Sequence, residues 1–201
     1  MNDNPYPYAG VAAIVLAILF PIYWVATFGF AVGDAELAFR ADFLEINAWD
    51  LLFVVIGILE IGVYLALSKY FRDQINGGFP ANMLIVMAFF VALFHSSVIV
   101  DLLLGMGLYT EHSETIIDVT LIASVVTLFL FTFALLAFSI GLLARFATLP
   151  AALKLFACGA LIAGLLQLTV VLGVINIVLF PALMLVLAFH FLAGDQTVEV
   201  V

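Results

Sequence analysis

Between Ala9 and Ala193 the chain passes from one apolar stretch to the next with only four polar interruptions, GDAELAFRADFLEIN, KYFRDQINGGFP, YTEHSE and ARFATLP. A bilayer core takes about 20 apolar residues per helix, and lipid offers backbone polar groups no partner outside the helix itself. Stretches of this length therefore point to an all-α, polytopic integral membrane protein. Composition agrees. Of 201 residues, 67% are hydrophobic and 9% charged, and the mean hydropathy is +1.35. A soluble domain runs at about 45–50% apolar and about 25% charged. The chain lacks the polar surface that a water-facing globule needs, which excludes a soluble enzyme or nucleic-acid-binding domain.

The first span is read over Ala9–Val32, with Pro21 inside it. No Lys or Arg precedes it, and at about 24 residues it exceeds the 7–15 of a cleavable signal segment, so it is expected to be retained as a helix. Spans over Trp49–Ser68, Ala81–Leu108 and Ile116–Leu143 follow. The last apolar stretch, Ala151–Ala193, has 43 residues. As one helix it would be about 64 Å long, twice the bilayer core. It is expected to fold back at Gly173–Asn176, giving spans over 151–172 and 177–193, or alternatively a re-entrant last segment. The reading is a single compact six-helix bundle with a short solvated tail.

With six spans, Lys69, Arg72, Arg145 and Lys154 share a side with both termini, against Arg40 alone opposite. The excess of Lys and Arg on cytoplasmic loops then places both termini in the cytoplasm. The other side carries Asp34, Glu36, Asp42, Glu45, Glu111 and Glu114. The net charge is -9, and no basic cluster exists to neutralise nucleic-acid phosphates or anionic lipid headgroups. The one cysteine, Cys158, is expected to pack in its apolar run.

Inside the spans, polar groups are few and therefore informative. Glu60 lies centrally in VVIGILEIGVYLAL, where an acidic side chain costs about 2.5–3.5 kcal/mol on insertion scales. Tyr64 shares its helical face. Two readings stand: a proton or cation site, or a neutral acid donating one interhelical hydrogen bond. His95 is central in the third span, about 6 Å from Glu60 in depth. If the two helices are neighbours, the pair would titrate together, as intramembrane proton relays do; a histidine bonded to a backbone carbonyl is the alternative. Ser97 and Asp101 are spaced i,i+4. With Asp50, Asp118, Gln167 and Asn176 they are candidates for an acidic outward vestibule attracting cations, although Asp50 and Asp118 also suit the first turn of a helix.

Other chemistries fail on position. His95 and His190 differ in depth by more than about 10 Å, too far for bis-histidine haem. Lys69 and Lys154 sit at span ends, unlike a retinal lysine. No zinc motif or phosphate loop occurs, so no metal, cofactor or catalytic residue is expected. Gly159–Ala163, Ala160–Gly164 and Ala13–Ala17 are small-xxx-small pairs that permit close helix approach.

The exit of the second span, LALSKYFR, the stretch GLLARFATLPAALKLFACGALIAGLLQ and the terminal FPALMLVLAFHFLAG resemble a bacterial inner-membrane family of six-helix domains of unknown function. That family often has arginine after the Leu-Pro; this chain has Ala151, Ala152 and then Lys154. The resemblance implies six helices and a bacterial inner membrane, and no activity. Two functional classes follow. One is a small transporter, channel or sensor using Glu60 and His95 at the midplane. The other is a non-catalytic membrane subunit or assembly factor. The bilayer is the expected partner, with a further copy or another membrane protein beside it, and no nucleic acid.

Overall fold

The computed structural model describes residues 6–30, 40, 43–169 and 171–193. Asp34, Glu36, Asp42 and the tail after Ala193 lie outside them. The described residues form seven α-helices and no strand: α1 Pro7–Phe30, α2 Ala48–Gln74, α3 Gly78–His95, α4 Val98–Gly105, α5 Ser113–Leu143, α6 Ala151–Leu168 and α7 Asn176–Leu192. Six segments, with α3 and α4 counted as one, are long and apolar enough to cross a membrane.

Local chemistry sets the helix ends. At α2 the Asn47 side chain accepts from the Trp49 N–H at 2.7 Å, and the Asp50 carboxylate accepts from the Asn47 N–H at 2.9 Å. This reciprocal pair satisfies donors that the first turn leaves unpartnered. After α2, Asn76 takes a left-handed φ of 51° and Gly77 turns the chain into α3. Arg145, after α5, donates to the Ile75 and Asn76 carbonyls at 3.3 and 3.1 Å, tying two connections at one end of the bundle. Pro150 lacks an N–H and sits immediately before α6, where none is needed.

The third span is not one helix. It breaks at Ser96–Ser97, where the Ser96 hydroxyl donates to the Leu93 carbonyl at 2.6 Å, and resumes as α4. The last hairpin turns earlier than the sequence suggests: α6 ends at Leu168, and a 3-10 segment over Val171–Ile175 leads into α7.

The helices form a ring in chain order. Packed pairs are α1–α2, α2–α3, α3–α5, α5–α6 and α6–α7, and α7 packs against α1 to close the ring. Neighbours run antiparallel. The ring is sealed at the end where α1 begins and α7 finishes, here the near end. There Leu67, Phe71, Phe138, Leu142, Leu153 and Leu187 are fully buried. Small residues bring the helices close. A Cβ at Gly159 of α6 would run into Leu183 of α7, and Ala13 and Ala160 are buried. Ser68 of α2 donates to the Ala81 carbonyl of α3 at 2.8 Å, a direct interhelical bond. Outward-facing Ile58, Ile122, Val178 and Phe189 are each more than half exposed. Cys158 also faces outward and is exposed, contrary to the packing role expected of it; the buried face of α6 is taken by Phe156, Ala157 and Ala160.

Candidate functional site

Above the sealed near end the interior of the ring is not filled by side chains. The ring surrounds a cavity of about 450 Å³ to which all six spans contribute. Drug-sized ligands occupy pockets of about 300–1,000 Å³. The cavity runs from Glu60 and Tyr64, next to the sealed end, to His95, Gln167 and Asn176 towards the far end.

Glu60 and Tyr64 are buried on the inner face of α2. The Tyr64 hydroxyl donates to Glu60 Oε1 at 2.6 Å. Oε2 accepts no hydrogen bond from the described residues. Among the described residues the carboxylate therefore forms no bond to another helix: its partner Tyr64 lies a turn away on its own.

His95 ends α3. Its ring stacks on Phe53 at 4.2 Å between centroids and lies against Gly57, where an added Cβ would be 2.5 Å from His95 Cγ. The glycine is what lets the ring in. Nδ1 is 3.0 Å from the Val91 carbonyl; that oxygen can only accept, so Nδ1 carries a proton. Gly57 precedes Glu60 by one turn, which sets the imidazole about 5 Å towards the far end. Glu60 and His95 are on neighbouring helices and line one cavity, but they share no hydrogen bond.

Across the ring, Asn176 Nδ2 donates to Gln167 Oε1 at 2.9 Å and to the Ala163 carbonyl at 3.1 Å. These bonds hold the α6–α7 hairpin together. Gly173 passes close to the Gln167 amide, within 3.2 Å of an added Cβ. The remaining candidates do not join this group. Asp50 is occupied in the α2 cap. Asp118 and Glu114 bind Arg40 at 2.5 and 3.0 Å. Ser97 heads α4 and Asp101 lies in its first turn. None of these lines the cavity. The six residues grouped by depth thus divide, with Gln167 and Asn176 on the cavity beside Glu60 and the aspartates and Ser97 elsewhere.

Sequence reasoning passed over the aromatic wall. Trp24 stacks near Phe94, with centroids 6.5 Å apart and 29° between planes. Phe53 meets both Phe94 and His95. Thr127 of α5 also lines the cavity; as a hydroxyl in mid-span it carried a signal that could have been read. No lysine or arginine lines the cavity. Among the described residues no group of three His, Cys, Asp or Glu could hold a metal ion.

No family model, curated protein or solved structure matches the chain.

Proposed function

We propose that this chain is a multi-pass membrane protein, with both termini cytoplasmic in a bacterial inner membrane, that takes a small molecule into its central cavity as a carrier or sensor. Glu60 is the polar anchor of the site and His95 a second polar contact nearer the far end. The carrying observation is that Glu60 is buried on a ligand-sized cavity, with one oxygen held by Tyr64 and the other without a hydrogen-bond partner among the described residues. A carboxylate kept only to clip helices together would bond across to a neighbour. Ser68 does that, and Glu60 does not.

The asymmetry of the ring supports access from the far end, since the near end is filled with buried aromatic and aliphatic side chains. The apolar outer surface fits lipid, and the cations Lys69, Arg72, Arg145 and Lys154 at the near end fit a cytoplasmic side.

Native mass spectrometry of protein extracted gently from its own membrane tests the reading. The expected result is the 21.8 kDa chain, or a multiple of it, carrying a small bound species that is lost when Ala163→Phe fills the cavity. A bare chain, or a heteromeric assembly with no small molecule, would favour the subunit reading instead.

A further inference from the structure

The cavity combines three features whose joint chemistry narrows what it can hold. The first is charge. Among the described residues Glu60 is its one acidic residue, and all five Lys and Arg of the chain, Arg40, Lys69, Arg72, Arg145 and Lys154, lie elsewhere. An anionic ligand would meet no opposite charge. A buried carboxylate without a cationic neighbour is costly to ionise, and a cation brought in by the ligand removes that cost.

The second is the wall. Phe20, Trp24, Phe53, Phe94, Phe131 and Phe180 line the cavity. Aromatic faces attract cations, by about 0.5–1 kcal/mol at exposed sites and about 2 when desolvated. They suit an apolar body equally well.

The third is the scarcity of oxygen ligands. One carboxylate with a few hydroxyl and amide groups cannot replace the hydration shell of a metal ion such as calcium, which takes about 6–8 oxygens. The described residues hold no metal-binding group of three. An inorganic cation would lose its water and gain little.

Resting on the reading of the cavity as a ligand site, we infer that its substrate class is the lipophilic organic monocation: one ammonium- or phosphonium-type centre on an aromatic or aliphatic body. The cationic centre lies by Glu60 Oε2, and the body fills the space between Phe53, Phe94 and Phe180. Tyr64 holds the other carboxylate oxygen, which fixes the direction in which the charge faces the cavity.

The test compares two probes that share three phenyl rings and differ in charge, methyltriphenylphosphonium and triphenylphosphine oxide. Equilibrium binding is measured to the full chain in lipid nanodiscs, with empty nanodiscs subtracting partition into lipid. The expected result is a preference of about tenfold or more for the cation, abolished in Glu60→Gln. The ratio in the unmodified protein stands even if that variant folds poorly. Equal affinities, or tighter binding of the oxide, would overturn the cation assignment while leaving the cavity a ligand site. Failure of both probes to bind above empty nanodiscs would overturn the cavity reading and the inference with it.

Discussion

The Tyr64 hydroxyl lies one helical turn from the Glu60 carboxylate and donates to its Oε1 at 2.6 Å. The bond orients the acid along its own helix and leaves Oε2 to the cavity. Tyr64→Phe is expected to leave a buried acceptor unpartnered and to cost about 1–3 kcal/mol of stability, with weaker ligand binding. Glu60→Gln keeps an acceptor for the same hydroxyl and is expected to change the Tm little. Thermal unfolding of both variants in nanodiscs checks this; a larger loss in Glu60→Gln than in Tyr64→Phe would contradict it.

Gly57 is where α2 admits the His95 ring. Because an added Cβ would meet His95 Cγ at 2.5 Å and Cβ at 3.0 Å, the His95 side chain or the helix that carries it must shift to accept it. Gly57→Ala is expected to destabilise the bundle by about 1–3 kcal/mol. The double variant with His95→Ala should recover most of that loss, since the two changes share one space. Additive losses would mean that the ring is not the obstacle.

Ser68 joins α2 to α3 through the Ala81 carbonyl at 2.8 Å. Interhelical bonds of this kind average about 0.6 kcal/mol and reach about 1.7. Ser68→Ala should lower the Tm by a correspondingly small amount and leave probe binding unchanged. A loss of binding with the Tm preserved would place Ser68 in the site rather than in the scaffold.

At the near end Tyr6 donates to Asp73 at 3.1 Å. Burial, then the hydrogen bond and the charge of Asp73, push the Tyr6 phenol above its usual 10.0. The folded chain therefore holds the phenolic proton more tightly than the unfolded chain. The resulting stability is fully present below about pH 10 and is lost as pH rises through the higher folded value. Tyr6→Phe should lower the Tm at neutral pH, and the gap to the unmodified protein should close above about pH 10. A gap that stays constant through that range would contradict the assignment.

Much of the helix framework was legible because its signals are local. The long apolar stretches, and Asp50 in the first turn of its helix, act within a few residues of the chain. The position of Glu60 one turn from Tyr64 is of the same kind. Ring closure and the cavity were not legible, because a helix that is apolar all round gives no sign of which side faces lipid. Gln167, Asn176, Asp50 and Asp118 share similar depths, yet only the first two line the cavity. Depth can be counted along a sequence, whereas direction around the helix axis is set by packing. Ser96–Ser97 breaks the third span where hydropathy alone shows no interruption.

The central claim, that the Glu60 carboxyl is open to a ligand-sized cavity inside the ring, is tested most directly by dicyclohexylcarbodiimide. This apolar reagent forms stable adducts with carboxylic acids reached from a low-dielectric environment. Membranes containing the protein are treated and its peptides mapped by mass spectrometry. The account predicts an adduct at Glu60, absent from Glu60→Gln and suppressed when Ala163→Phe fills the cavity. Modification of loop carboxylates such as Glu111 and Glu114, with Glu60 untouched, would contradict it.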